Sequence, residues 1–204
     1  MDRDSLIAQL AGEVGDQRVL DAIAAVPREV FVSPDRRRSA WENRPLPIGE
    51  GQTISQPLVV AIMCELLSPG PGDLVLDVGG GSGYHAAVLA QLAGRVISIE
   101  RQPSLVAAAR RALAAAGIEN VEMVEADGSL GWPAQAPYDR INVAAAARDH
   151  VPQALLDQLA EGGRLVVPVG QRHQRLELWR RTQGELTRKR LGAVAFVPLI
   201  ENGD

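Results

Sequence analysis

Asp77-Val78-Gly79-Gly80-Gly81-Ser82-Gly83-Tyr84 sets a carboxylate in front of four glycines in five positions, directly after the apolar run Leu74-Val75-Leu76. The run reads as a buried strand. The glycines permit the positive φ of a tight strand-to-helix turn and leave no Cβ to hold a ligand off the backbone. Such a turn suits a nucleotide-like ligand, and two cofactor classes use it. Gly81-Ser82-Gly83-Tyr84-His85-Ala86 fits the dinucleotide pattern G-x-G-x-x-A, with Glu100 at about the 20-residue distance of a ribose-binding acid, so hydride transfer is one reading. Asp77 favours the other. Beside a pyrophosphate a carboxylate repels; beside the sulfonium and amino group of S-adenosylmethionine it attracts. Asp77-x-Gly79-x-Gly81-x-Gly83 therefore points to methyl transfer, and a glycine turn that holds no ligand is the bland alternative.

In open α/β sheets ligands sit outside the carboxyl ends of the strands, so the residues that close each strand carry the chemistry. Glu100 closes Arg95–Glu100 and could accept both ribose hydroxyls. Asp127-Gly128 follows Val121–Glu125 and could accept the adenine amino group. Taken singly, an Asp-Gly pair is a turn and a strand-end Glu a surface acid. Three acids at three successive strand ends, with the glycine loop, form a constellation. No metal is expected: His85, His150 and His173 lack ligand spacing and read as surface or structural residues. Cys64 is the one cysteine, which excludes an intramolecular disulfide. Within the apolar stretch from Val59 to Leu67 and with no histidine near it in sequence, it reads as a buried structural thiol. Trp132 could cover part of the cofactor pocket or simply pack under a loop.

The elements that must position these residues alternate strand and helix from Asp73 onward, the pattern of a mainly parallel sheet with helices on both faces. Strands are predicted at Leu74–Val78, Arg95–Glu100, Val121–Glu125, Arg140–Ala144 and Arg164–Val169, and helices at Tyr84–Leu92, Pro103–Ala116 and Pro152–Leu159. After Gly170 the alternation in Leu176-Glu177-Leu178-Trp179, a turn near Gln183-Gly184 and the run Ala195–Leu199 predict antiparallel strands that finish the sheet. Upstream, Leu6, Ile7 and Leu10 share one helix face, and Val19, Leu20, Ile23 and Val26 another before Pro27. Ser33 to Gln56 is rich in Pro, Gly and charge and reads as an irregular loop. Pro57 then opens a helix to about Leu67.

At 204 residues the chain fits one domain with a sizeable core. With 46% hydrophobic and 23% charged residues it has the composition of a soluble globular protein. No apolar run reaches membrane-spanning length, and the polar start Met1-Asp2-Arg3-Asp4 is unlike a secretory signal, so a cytoplasmic protein without membrane contact is expected. A net charge of −4 gives no global attraction to nucleic acid, and Arg36-Arg37-Arg38 and Arg188-Lys189-Arg190 read as solvated faces.

The chain resembles the protein-L-isoaspartate (D-aspartate) O-methyltransferases over nearly its whole length. The resemblance rests on Val26-Pro27-Arg28-Glu29-Val30-Phe31-Val32, on Arg44 through Pro57, on Asp77 through Tyr84, on Ser98-Ile99-Glu100-Arg101, on Asp127 through Pro133 and on Pro168-Val169-Gly170. The glycine motif is shared by many methyltransferases, whereas Gly51-Gln52-Thr53-Ile54-Ser55-Gln56-Pro57 is distinctive. It implies a Rossmann-like methyltransferase fold in one domain, with residues 1–56 a helical and loop appendage and 57–204 the cofactor-binding α/β core. It also implies a monomer that repairs aged proteins by methylating the isoaspartyl (and D-aspartyl) carboxylate. S-adenosyl-L-methionine is then the donor, S-adenosyl-L-homocysteine the product, and isoaspartyl peptides and proteins the partners.

Carried over residue by residue, the resemblance makes Ser55 the active-site serine and Gln52, Thr53 and Ile54 its cofactor-contacting loop. Asp77, Gly79, Gly81, Ser82 and Gly83 take the methionine end and turn, Glu100 and Arg101 the ribose, Asp127 and Gly128 the adenine, and Ile200 a substrate contact. Without it, Ser55 would read as a cap or local turn before a helical proline. The chemistry asks for no general base, because a free carboxylate has a pKa near 4 and is already an anion at neutral pH. Positioning and exclusion of water are the tasks, with Ser55 a hydrogen-bond donor rather than a covalent nucleophile. The chain departs from the family pattern at Asn142 through Pro152, which should border the acceptor site. A related enzyme with another carboxylate or modified peptide as acceptor, or a non-catalytic cofactor-binding domain, are the rival readings.

Overall fold

The structure is a computed structural model that describes residues 1–201. Helix α1 (Arg3–Leu10) is capped by Asp2, whose carboxylate accepts from the Ser5 amide at 2.9 Å, and α2 (Gln17–Ala25) by Asp16, which accepts from Arg18 N at 3.0 Å. Short 3-10 turns follow at Arg28–Phe31 and Pro34–Ser39. The expected irregular loop then folds into a hairpin, β1 (Leu46–Gly49) against β2 (Gln52–Ile54). Gly49, Glu50 and Gly51 all take positive φ (101°, 51° and 68°) to reverse the chain, and the cross-strand pair Leu46 and Ile54 is buried. Two glycines around the tip supply a turn that alternation over so short a segment does not announce.

Next come α3 (Pro57–Leu67), β3 (Leu74–Val78), α4 (Tyr84–Leu92), β4 (Arg95–Glu100), α5 (Pro103–Ala115), β5 (Val121–Glu125), β6 (Tyr138–Val143), α6 (Gln153–Asp157), β7 (Leu159–Val169), β8 (Gln174–Thr182) and β9 (Glu185–Val194). The large sheet runs β5-β4-β3-β6-β7-β8-β9, with β3 to β7 parallel and β8 and β9 antiparallel. Register along β3 places Asp77 beside Ser98 of β4 on one side and Asn142 of β6 on the other.

Several boundaries differ from the sequence reading: the strand predicted at Arg140–Ala144 runs Tyr138–Val143, and that predicted at Arg164–Val169 begins at Leu159. The predicted helix Pro152–Leu159 stops at Asp157 and β7 starts at Leu159, because β6 starts at Tyr138, whose amide donates to Gln158 O at 2.8 Å. Gly162-Gly163 disguised the start of β7 as a loop. The last strand is not Ala195–Leu199 but the polar Glu185–Val194. An exposed edge strand carries charge to discourage pairing with other chains, and Arg188 and Arg190 of that edge both reach the buried Glu177 (3.5 and 3.0 Å). Residues 195–199 instead cross the strand ends, held by Gln174 and by Ala146.

Strand alternation divides the core. Val75, Val96, Val166 and Leu176 face a layer built by α1 to α5, while Leu76, Val78, Ile97, Ile141 and Leu165 face α6 and the loops before it. Helices do cover both faces, but unequally: most of the helical mass lies on the face that the N-terminal segment joins.

Candidate active site

The strand ends of β3, β4 and β6 open onto a cleft of about 870 Å³, open solvent at its mouth included. Its floor is the glycine turn. Gly79, Gly81 and Gly83 take positive φ (83°, 52° and 84°), as the spacing predicted. Gly80 matters for a different reason: a Cβ there would strike Ser98 Oγ. Gly83 does not line the cleft but caps α4 and packs close to Ala109, where a Cβ would come within 3.2 Å.

Glu100 lines the cleft and is 8% exposed. One carboxylate oxygen accepts from Gly81 N and the other from Gln102 N, each at 2.9 Å, so the side chain braces the glycine turn with lone pairs left for a ligand. Arg101 and Gln102 extend the same wall, and Arg101 is exposed. Gly128 lines the cleft as well. Asp127 stands behind it with one oxygen bonded to Ser129 N (2.8 Å) and Oγ (2.7 Å). Its other oxygen is buried with no partner, a reserve acceptor beside the wall.

Asp77 is not at the cleft surface. It is 0% exposed beneath the turn, accepting from Ser98 Oγ and Asn142 Nδ2, both at 2.7 Å. Burial raises its pKa, and the two hydrogen bonds oppose that rise. The network continues: Asn142 Nδ2 lies 3.2 Å from His85 Nδ1, and His85 Nε2 3.6 Å from Cys64 Sγ. With Asn142 donating, Nδ1 is the acceptor and Nε2–H faces the sulfur. Burial lowers the His85 pKa to about 3, keeping the ring neutral, and pushes the Cys64 thiol up. Cys64 is thus buried as expected, but the fold supplies the histidine that its local sequence lacks.

Across the cleft, the hairpin delivers Gln52, Thr53, Ile54 and Ser55. Ser55 is the junction between β2 and α3. Its carbonyl accepts from Arg28 Nη2 at 2.8 Å, while Gln56 Nε2 donates to Asn43 O at 3.0 Å. Thr53, Ser55, Ala144 and Val197 border both the cleft and a second cavity, whose further lining includes Val59, Val194 and Phe196. That cavity has no ionised side chain in its lining.

The 142–152 segment packs as small residues need: Ala145, Ala146 and Ala147 are buried, and Ala144 lies against Gly79. Ala146 holds the C-terminal strip, its amide donating to Val197 O and its carbonyl accepting from Leu199 N, both at 2.8 Å. This brings Val197 to Ile200 over the cleft, with Ile200 39% exposed at the rim. Arg148, Asp149 and His150 are exposed along the neighbouring groove. Trp132 does not reach the cleft; it packs on the second core face. No metal-binding cluster occurs among the described residues.

Sequence reasoning assigned no role to Ser98, Asn142, Tyr84 or Arg28. The signal for the first two was present: Ser98 lies between Ile97 and Ile99, and Asn142 between Ile141 and Val143, and a polar residue flanked by apolar ones in a buried strand is tolerated only when it is hydrogen-bonded. The cleft fits an adenosyl ligand, with a backbone cradle free of side chains, a braced acid with spare acceptor capacity and an unpaired buried acceptor behind Gly128.

Comparison with known proteins agrees with this geometry. A family model described as protein-L-isoaspartate(D-aspartate) O-methyltransferase matches residues 1–204. Proteins named protein-L-isoaspartate O-methyltransferase from Methanoregula boonei (52% identical, covering 94% of this chain and 89% of that one) and Aeromonas salmonicida (51%, 97% and 95%) are similar over almost their full length. A solved protein-L-isoaspartate O-methyltransferase superposes with a TM-score of 0.89 at 31% identity, over 98% of this chain and 67% of that one. A putative Plasmodium falciparum member, solved with S-adenosyl-L-homocysteine, gives 0.86 at 26% over 99% and 100%.

Proposed function

The chain belongs to the protein-L-isoaspartate (D-aspartate) O-methyltransferase family, and from that premise we propose that it methylates the free carboxylate of isoaspartyl residues in damaged proteins. The observation that carries this reading is the placement of Ser55 on the wall shared by the adenosyl-type cleft and the uncharged second cavity. S-adenosylmethionine, when bound, supplies an electrophilic methyl group on a cationic sulfur.

The residues proposed to hold it are the Gly79–Gly81 backbone with Ser82, Gln52 to Ile54 across the cleft, Glu100 and Arg101 at the ribose, and Asp127 with Gly128 at the adenine. Asp77 acts from beneath, shaping the turn through Ser98 and Asn142 and placing its carboxylate behind the cradle.

The second cavity is proposed to take the isoaspartyl carboxylate. No base is needed there, since the acceptor is already an anion. Ser55 orients it by a hydrogen bond, and the apolar walls at Val59, Val197 and Phe196 keep water from solvating the reacting pair. Fixing two reactants in line is the main catalytic contribution, worth up to about 7–11 kcal/mol in favourable cases.

Repair is tested by incubating an isoaspartyl peptide with protein and methyl donor through repeated cycles. Chromatography should show the isoaspartyl form falling while the normal aspartyl form accumulates by way of the succinimide. An isoaspartyl peak that persists at the level of a donor-free control would exclude the repair reading.

A further inference from the structure

Arg28 is among the largest side chains the fold buries completely. Its guanidinium forms no ion pair among the described residues. It faces neutral oxygens instead: Nη1 donates to the carbonyls of Ala40 and Glu42, and Nη2 to those of Arg44 (3.5 Å) and Ser55 (2.8 Å). Its Cζ sits over the Tyr84 ring, 5.3 Å from the centroid. Tyr84 in turn lines the cleft at the end of the glycine turn. Burial lowers the Arg28 pKa only to about 10, so the group stays charged at neutral pH.

A buried cation without a carboxylate is costly to retain, and its planar fork of donors suits it to hold several carbonyls at once. Three segments meet at this fork: residues 40–44, the β2–α3 junction at Ser55 and the start of α4. The second cavity has no ionised side chain, so the position of an anionic acceptor there depends on where the Ser55 and Thr53 hydroxyls are held. Ser55 carries its hydroxyl on Cβ, two bonds from the backbone, and Arg28 grips that backbone directly. We propose that Arg28 is a positioning residue for methyl transfer, its bond to the Ser55 carbonyl fixing the Ser55 hydroxyl at the junction of the two cavities. The role rests on the reading of Ser55 as the residue that orients the acceptor.

A double-mutant cycle between Arg28→Lys and Ser55→Ala tests it, with turnover of an isoaspartyl peptide normalised to the fraction of protein that binds S-adenosylhomocysteine by calorimetry. Lysine keeps a charge but cannot span the four carbonyls. Arg28→Lys should lower kcat by about 10- to 100-fold, the scale of a small misplacement of a reacting group, with S-adenosylhomocysteine affinity changed by less than about threefold. In the Ser55→Ala background the same substitution should lower kcat by less than about twofold, because the hydroxyl it positions is gone. A purely structural role would give additive losses and a matching loss of S-adenosylhomocysteine affinity, and would overturn the proposal. If Ser55→Ala turns over like wild type, the Ser55 reading fails and this role with it. If Ser55→Ala is impaired while Arg28→Lys is fully active, only the role of Arg28 fails. Should Arg28→Lys not fold, Tyr84→Leu removes the ring beneath the guanidinium, freeing it to tilt and loosening its hold on the Ser55 carbonyl. Its normalised kcat loss must then also shrink in the Ser55→Ala background, and additivity there overturns the proposal equally.

Discussion

Gly80→Ala probes the packing beneath the glycine turn, where the structure sets a steric limit that motif spacing does not. A Cβ at position 80 would strike Ser98 Oγ and come within 3.1 Å of Met123 Cε. Met123 ends in a flexible thioether and can move aside. Ser98 is fully buried and its hydroxyl donates to Asp77 at 2.7 Å, so it cannot move without breaking that bond. The variant must either shift the turn, at about 1–3 kcal/mol for overpacking, or lose a hydrogen bond to a carboxylate, at about 1.5–3 kcal/mol. A destabilisation of about 1–3 kcal/mol follows, which lowers Tm by roughly 2–12 °C in a chain of this size. Ser98→Ala loses the same bond but opens the space. Introduced into that background, Gly80→Ala should cost less than about 0.5 kcal/mol, a coupling of about 0.5–2.5 kcal/mol. Urea denaturation of the wild type, both single variants and the double variant measures all four corners. Additive costs, with Gly80→Ala as damaging without the Ser98 hydroxyl as with it, would refute the reasoning.

Asp127→Ala should weaken S-adenosylhomocysteine by about 10- to 100-fold in calorimetry, the worth of one hydrogen bond to a charged acceptor, and should abolish discrimination against an analogue that lacks the adenine amino group. Retained discrimination would place the amino group elsewhere. Cys64 should resist iodoacetamide in the native protein and react fully in urea, because it is buried and its thiol pKa is pushed up; rapid native labelling would contradict the packing. His85 has a folded pKa lowered to about 3 against an unfolded value near 6.5, so its contribution to stability is complete above pH 6.5 and is lost as pH falls and the unfolded chain takes up the proton. Asp77, whose pKa is raised, works in the opposite sense, its unfavourable contribution easing as pH falls toward its unfolded value. His85→Gln should therefore flatten the fall in unfolding free energy between about pH 6.5 and pH 4, and an unchanged slope would mean that His85 is not buried neutral.

What the sequence made legible follows from period and punctuation. β3, α4, β4 and β5 emerge with the bounds the sequence suggests, because proline, glycine and the turn residues mark their ends. The hairpin at 46–54 and the edge strand β9 escaped notice for opposite reasons. The first is too short for alternation to register, and the second is polar because nothing pairs with its outer edge. The placement of Glu100, Gly128, Gln52 to Ser55 and Ile200 around one cleft was legible from motifs. The depth of Asp77 was not, since depth is set by register: Ser98 and Asn142 flank it only because β4 and β6 pair with β3 where they do. Arg28 was hidden for a related reason. Its partners are backbone carbonyls, which carry no side-chain signature in a sequence.

The central claim, that the protein methylates an isoaspartyl carboxylate, is tested most directly with two synthetic peptides that differ only in aspartyl against isoaspartyl linkage. Each is incubated with the protein and a donor labelled in its methyl group, and base-labile label on the peptide is counted. Label should accumulate on the isoaspartyl peptide and stay at background on its aspartyl twin. Equal labelling of the two peptides, or none on the isoaspartyl one, would contradict the account.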